Sequence, residues 1–323
     1  MDTEPLACAV WMVTYNHEHF IAKAIESVLS QKTKYSFRIY LGEDRSTDNT
    51  ARICENFASR FPDKIVLVKS EMNMGAKANG IRTYNACFAS GAKYMALLEG
   101  DDFWNDINKL ERQLNFLESN PDYSVCFHAV HRLDEKSGIR MLSERNPSPK
   151  DETYSITDLA AGNFIYTSSV VYRNNVFKKL PERFSADTAV CDYVLHMLNA
   201  YHGKIKYFAE PMATYRLHGG GIWSTAPKVQ RLYDWIGVMD LLIQEFKNDI
   251  SITEILKSQR QGSINAAAKI IYSSNRTDEI EKFVARGEEY RNAFYDKSNR
   301  VIASEKPVRK NIFKRLIGKI RGK

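Results

Sequence analysis

No two cysteines in this chain are spaced as C-x-x-C, no apolar run reaches membrane-spanning length, and neither common glycine-rich phosphate loop is present. The five cysteines, Cys8, Cys54, Cys87, Cys126 and Cys191, are scattered, several of them in apolar runs. They read as reduced core residues in a reducing compartment. The acidic start, Met1-Asp2-Thr3-Glu4-Pro5, carries no basic stretch leading into an apolar run, so no signal peptide is expected. No stretch is apolar for long enough to cross a bilayer as a helix. Without G-x-G-x-x-G after the first strand, or G-x-x-x-x-G-K-[ST] anywhere, a dinucleotide-binding fold or P-loop has no support.

The body of the chain also lacks a basic surplus. Net charge is +7, but residues 306–323 carry eight Lys or Arg and no acid. Setting those eight aside leaves 38 basic against 39 acidic residues, a net of −1. A nucleic-acid groove through the body is therefore not suggested, and no nucleic-acid partner is expected.

What remains is ordinary for a globular protein: 323 residues, 44% apolar and 26% charged, enough for one large domain with an appendage or for two domains. Its organising stretch is Tyr94 to Trp104, an apolar run of strand length that stops at Glu99, Asp101 and Asp102. Clustered carboxylates cannot stay in a core unpaired, so the strand must deliver them to its mouth. They repel one another unless a cation sits among them, and a hard divalent ion with oxygen ligands is the natural occupant. The alternative is a solvated acidic loop.

The neighbouring elements decide between the two. Residues 6–13 read as a strand, 19–31 as an amphipathic helix and 36–42 as a strand ending at Glu43-Asp44. Ile53, Cys54, Phe57 and Phe61 continue as a helix closed by Pro62; 64–69 is a strand, 77–90 a helix and 93–98 a strand. Alternation of this kind implies a parallel sheet flanked by helices, with ligands at the carboxyl ends of its strands. Three such ends carry Thr14/Asn16/Glu18, Glu43/Asp44 and Glu99/Asp101/Asp102. Their convergence favours a functional site over a solvated loop. Acids cannot hold a phosphate directly, so Mg²⁺ or Mn²⁺ would have to bridge.

Further on, the pattern predicts a helix over 107–119, a strand over Tyr123–Val130, a mobile loop over 134–155, and a strand over Ile165–Tyr172. A helix over 188–201 carries Cys191-Asp192, and strands follow at Lys204–Phe208 and Met212–Leu217. These lead to His218 and three glycines, a flexible segment beside a site or merely a loop. The expected domains are 1–225, a helical appendage over 226–300 and a tail over 301–323. The appendage is expected to offer a surface for a homo-oligomer or partner. In the tail, Val308, Ile312, Phe313, Leu316, Ile317 and Ile320 share one helical face and basic residues fill the other, the pattern of a membrane-surface helix.

At this point the chain resembles the family-2 glycosyltransferases, inverting nucleotide-sugar enzymes with a GT-A fold. The resemblance covers about residues 7–220. It is carried by Val13-Thr14-Tyr15-Asn16, by Ala24 to Gln31, by Gly42-Glu43-Asp44-Arg45-Ser46-Thr47-Asp48-Asn49-Thr50, by Asn73-Met74-Gly75 and by Leu98-Glu99-Gly100-Asp101-Asp102, in order and with matching spacing. It implies an α/β fold of GT-A type, Rossmann-like, with a mostly parallel sheet flanked by helices and a C-terminal helical region.

By that resemblance Asp44 matches the acid that contacts the nucleobase. Thr14, Tyr15, Asn16 and Glu18 border the nucleotide, and Lys77 approaches base or phosphate. Glu99 and Asp101 belong to the nucleotide-sugar contacts, Asp101 at the ribose, while Asp102 and His218 match the metal ligands. Asp192 matches the catalytic base, with Asp187 a weaker rival. Two positions depart from the family pattern: Glu99 stands where Asp is usual, and Cys191 where a Glu usually precedes the base.

The implied reaction moves a sugar, UDP-sugar favoured, to a hydroxyl of a glycan or lipid-linked acceptor with inversion, assisted by Mg²⁺ or Mn²⁺. The acceptor is expected to pass Trp104, Tyr166 and Trp223, and the 218–224 segment to close over the diphosphate. The setting that fits is bacterial surface-polysaccharide assembly by a cytoplasmic enzyme on the inner face of the membrane. A nucleotidyltransferase would also use acids and a metal, but would want a glycine-rich basic loop after the first strand. A non-catalytic nucleotide-sugar-binding module would not need acids at three strand ends.

Overall fold

The computed structural model describes residues 5–174, 176–177, 191–221, 225–274 and 277–293. The chain divides into two compact units, Met1–Ser224 and Thr225–Lys323.

The first unit begins with the alternation that the sequence calls for: β1 (Cys8–Thr14), α1 (Ile21–Leu29), β2 (Phe37–Glu43), α2 (Thr50–Arg60), β3 (Ile65–Lys69), α3 (Ala76–Ala89) and β4 (Tyr94–Glu99). These four strands pair in parallel in the order β3-β2-β1-β4. Cys8, Val10 and Met12 of β1 face the same core as Ile21, Ala24, Ile25 and Val28, which recur on one side of α1. Parallel strands all point their carboxyl ends the same way, so Thr14, Glu43 and Glu99 close adjacent strands at one edge.

The other half is mixed. It holds β5 (Phe103–Trp104), α4 (Lys109–Ser119), β6 (Tyr123–Asp134), β7 (Arg140–Leu142), β8 (Glu152–Tyr154), α5 (Ile156–Ala160), β9 (Val171–Arg173), α6 (Cys191–Ala200) and β10 (Lys204–Leu217). β9 lies antiparallel between β4 and β6, while β10 runs parallel to β6. The long parallel pairings keep the sheet mostly parallel, and β10 therefore ends at the same edge as β1 and β4.

Several elements differ from the sequence reading for identifiable reasons. The two strands expected over 204–217 are one, with register shifts around Pro211, which has no N–H to give the ladder. The strand expected from Ile165 starts only at Val171, because Thr167–Ser169 tighten into a 3₁₀ turn in which both Ser169 N and Oγ donate to the Tyr166 carbonyl. The 134–155 segment forms β7 and β8 instead of an open loop. There Asn146 pairs its amide with both the N–H and the C=O of Val130, as a neighbouring strand would.

In the second unit the described helices are Lys228–Glu245, Ile250–Ser274, Thr277–Val284 and Glu288–Asn292. They enclose a core of their own built on Ile236, Ile264, Ala268, Ile271 and Phe283. The last pattern breaks at Gly287, whose φ of 148° suits glycine. No helix among the described residues is long and apolar enough to cross a membrane. Cys8, Cys54, Cys87 and Cys126 are buried free thiols. The tail over 306–323, Asp187 and Trp223 lie outside the described residues.

Candidate active site

The loop after β1 is fastened to the loop after β2. Asn16 adopts a left-handed backbone (φ 54°), which Asn tolerates, and its N–H donates to Ser46 Oγ while its Oδ1 accepts from Thr47 N at 2.9 Å. Glu18 Oε2 accepts from Asn49 N at 3.0 Å and Asn49 Nδ2 at 2.7 Å, and Glu18 N donates to Asp48. Those bonds hold the Glu18 carboxyl below its ordinary range. Asn16 and Glu18, both expected at the nucleotide, thus spend their side chains on the frame of the cleft. Thr14 is buried and Tyr15, 37% exposed, stands at the rim.

Asp44 is buried, 1% exposed, at the end of β2. Its two oxygens take the N–H groups of Met74 and Gly75 at 3.0 and 2.9 Å. Gly75, with φ 84°, makes that turn and starts α3. At the second position of α3, Lys77 has a buried Nζ with no hydrogen-bond partner among the described residues. An ammonium left this way is costly unless an acceptor arrives.

The acids after β4 separate into distinct environments. Asp101 Oδ2 lies 3.0 Å from His218 Nε2 and 3.8 Å from His17 Nε2. Burial pushes its carboxyl up, but the His218 hydrogen bond and the two imidazoles outweigh that and hold it below the ordinary range. Asp102 turns the other way. It is 1% exposed, its Oδ1 accepts from Arg216 N at 2.9 Å, and its Oδ2 is buried, with the Ser168 side chain as the polar group beside the carboxyl. Burial, with Asp101 adding to it, pushes Asp102 well up. Glu99 is pushed up too, by burial first and then by Asp102, Asp101 and Asp192. Among these three carboxyls, one is held as an anion and two are driven toward the neutral acid.

Ligand atoms of His17, Asp101 and His218 all fall within 4.8 Å of one another. Burial pushes His17 below its ordinary value although Asp101 opposes this, and its Nδ1 lies 3.3 Å from Thr14 Oγ1. Two imidazoles and a carboxylate suit Mn²⁺ better than Mg²⁺, which prefers all-oxygen shells. The trio differs from the expected pair by adding His17 and Asp101 to His218 and leaving Asp102 behind, bonded to the Arg216 backbone. His17 was legible only as part of a polar loop; nothing in its spacing marks it.

Arg216 also escaped the sequence reading. Its Nη1 donates to the Asp101 carbonyl at 2.6 Å, its Nε forms an ion pair with Glu135 Oε1 at 2.7 Å, and its guanidinium lies 4.6 Å from the Phe103 ring centre and 5.1 Å from that of Phe20. It ties β10 to the turn that carries Asp101 and Asp102.

Asp192 opens α6, its side chain 29% exposed, with Oδ2 at 3.5 Å from Thr167 Oγ1. The Thr167 side chain also opposes the rise of Glu99 and so stands between the two acids. The aromatics expected to guide the acceptor are otherwise employed. Trp104 and Tyr166 are only 4% and 7% exposed, the former bonded to the Ser168 carbonyl and the latter to Ser143. Their faces are core packing and offer no path to a sugar.

The arrangement has counterparts. The model of the glycosyl transferase family 2 matches residues 9–181. An uncharacterized protein of Mycobacterium tuberculosis is 35% identical over 215 residues, which span 66% of this chain and 60% of that protein. The chain thus spans about 60% of the length of the first curated relatives it matches. An uncharacterized glycosyltransferase of Nostoc is 30% identical over 65% of each chain. The minor teichoic acid biosynthesis protein GgaA of Bacillus subtilis is 26% identical over 50% of this chain and 36% of its own. Among solved structures, Staphylococcus aureus TarS with UDP-GlcNAc aligns with a TM-score of 0.57 at 15% identity, covering 89% of this chain and 79% of that one. A mannosyltransferase of Pyrobaculum calidifontis, bound to GDP-Man and Mn²⁺, aligns at 0.53 and 13% identity, covering 88% and 82%. At such identities these two establish the common fold, which is the GT-A architecture expected from the sequence.

Proposed function

The chain belongs to glycosyl transferase family 2, and from that premise we propose that it moves a sugar from a nucleoside diphosphate sugar, UDP-sugar favoured, to an acceptor hydroxyl with inversion. The carrying observation is the meeting of three strand ends in one edge, with His17, Asp101 and His218 within 4.8 Å of one another. A divalent cation there would neutralise charge that develops on the leaving diphosphate. The fit rests on the donor set, two imidazoles and a carboxylate within reach of one ion.

The remaining steps belong to the chain's own residues. The proposed base contact is Asp44, held by Met74 and Gly75, with Thr14 and Tyr15 beside it. Lys77 supplies the unpaired ammonium that an anionic nucleotide would satisfy. Glu99 lies at the donor beside Thr167 and Asp192, and Asp192 takes the proton of the attacking hydroxyl. Asn16 and Glu18 hold the nucleotide loop in shape through the residues that follow β2.

The likeness to a teichoic acid biosynthesis protein supports a role in surface polysaccharide or lipid-linked glycan assembly. The basic amphipathic pattern over 306–323 supports attachment to the inner face of the membrane, and the helices after Thr225 are the proposed oligomer or partner surface. Deleting 306–323 then lowers binding to vesicles rich in anionic lipid; full binding by the shortened chain removes the attachment.

Thermal melting with UDP or GDP, with and without Mn²⁺, tests the donor site. The expected result is stabilisation by one nucleotide that needs the metal. No stabilisation by either would leave a module without a donor site.

A further inference from the structure

Helix α6 places a second titratable side chain on the face that carries Asp192. His196 follows it by four residues, so the two stack along one side of the helix. Its side chain is fully buried, at 0% exposure, and its Nε2 lies 3.9 Å from Asp192 Oδ2 with no hydrogen-bond partner among the described residues. The other ring nitrogen, Nδ1, forms a short hydrogen bond with the hydroxyl of Tyr172 on β9.

Two tautomers can satisfy that bond, and the Asp192 carboxylate 3.9 Å from Nε2 favours the one in which Tyr172 donates to Nδ1. Burial pushes the Tyr172 phenol well up, so it keeps the proton this needs. Burial also pushes His196 down to about 4, Asp192 opposing and Arg145 adding to the fall, so the ring is neutral near pH 7. A neutral imidazole that accepts at Nδ1 must carry its proton on Nε2, the atom that faces Asp192. On the same carboxylate oxygen, Thr167 Oγ1 stands at 3.5 Å.

We propose that His196, fixed in one tautomer by Tyr172, is a positioning residue for Asp192: with Thr167 it holds Oδ2 and leaves Oδ1 turned to the acceptor hydroxyl. This rests on Asp192 being the base. An unsupported carboxylate at the head of a helix would sample several rotamers, and a misplacement of about 1 Å can cost about 100-fold in rate. The other groups facing the pair are Arg145 from the segment between β7 and β8, Tyr84 of α3, and Glu99 of β4 beyond Thr167.

Two readouts on the full chain test it. In ¹⁵N-histidine NMR, the signal lost in His196→Gln should be that of a neutral ring protonated at Nε2 from about pH 5.5 to about 8, and Asp192→Asn should shift it. The kinetic probe is release of UDP from UDP-GlcNAc, or of GDP from GDP-mannose, in Mn²⁺ with water as acceptor. His196→Leu and Tyr172→Phe should lower kcat about 10- to 100-fold with donor KM nearly unchanged, and His196→Gln, whose amide can donate in place of Nε2, should keep most of the turnover. Tyr172→Phe keeps the core filled, so the test survives a misfolded His196→Leu. A ring protonated at Nδ1 or charged overturns the proposal, as does equal turnover in His196→Gln and His196→Leu. If Asp192→Asn turns over like the natural chain, the base assignment itself fails; if Asp192→Asn is slow while His196→Leu and Tyr172→Phe are not, only the positioning role fails.

Discussion

His218 Nε2 stands 3.0 Å from Asp101 Oδ2, although 117 positions separate the two residues. The contact exists because β4 and β10 end at the same edge of the sheet. His17 joins them from the end of β1, its ring centre 6.0 Å from that of His218. The trio therefore depends on how tightly the strand ends approach one another.

Gly100 sets that approach. A Cβ on it would lie 2.8 Å from Thr14 Cβ and 2.9 Å from the Val13 carbonyl. Gly100→Ala should push the 99–102 turn away from β1 and lower turnover about 100-fold, with a loss of stability of about 1–3 kcal/mol. Steady-state kinetics beside a urea melt check this; turnover within twofold of the natural chain would show that the approach does not matter.

Arg216 should matter through the same turn. Arg216→Lys keeps the charge but cannot serve the Asp101 carbonyl and Glu135 at once while lying between two rings. Mn²⁺ affinity, measured by calorimetry, should fall at least about tenfold, and stability by about 2–4 kcal/mol. Glu135→Gln, which leaves the Asp101 contact intact, should lose far less affinity. Equal losses in both variants would place the effect in general destabilisation.

These two positions also mark what could be read from the sequence. The alternation of strands and helices up to Glu99 follows from apolar periodicity, which burial enforces residue by residue, and so the acidic edge was legible. Asp44, Asp101 and His218 could be singled out as candidates because their motifs are local. The mixed half of the sheet was not legible. An antiparallel β9 of three residues gives almost no periodic signal, and Pro211 made one bulged strand look like two. His17 and Arg216 acquire their roles only through partners about a hundred positions away, which no local pattern encodes. His196 was the exception. Its spacing of four from Asp192 on a helix was a usable signal. The burial of Trp104 and Tyr166 shows the converse, since an aromatic near a site carries no label for packing or binding.

A buried lysine supplies a pH test of the core. Lys109 is 0% exposed, its Nζ has no hydrogen-bond partner among the described residues and lies 4.0 Å from the Trp104 ring centre. Burial lowers it from 10.5 to about 7. Between those values the unfolded chain binds the proton and the folded chain does not, so stability rises with pH across that window. Below it both states are charged and the folded state bears the full cost. Lys109→Met should therefore raise stability most near pH 6, by up to about 5 kcal/mol, and far less near pH 10. Melting curves at the two pH values decide; an equal gain at both would mean that the amine is not a buried cation near pH 6.

The most direct measurement is nucleoside diphosphate release from a panel of UDP- and GDP-sugars, with Mn²⁺ or with EDTA, for the natural chain and for Asp101→Asn. The expected result is release from one donor that EDTA stops, Mn²⁺ restores and Asp101→Asn lowers at least about 100-fold. Release that is indifferent to EDTA and to Asp101→Asn, or none from any donor, would contradict a metal-assisted glycosyl transfer at this edge of the sheet.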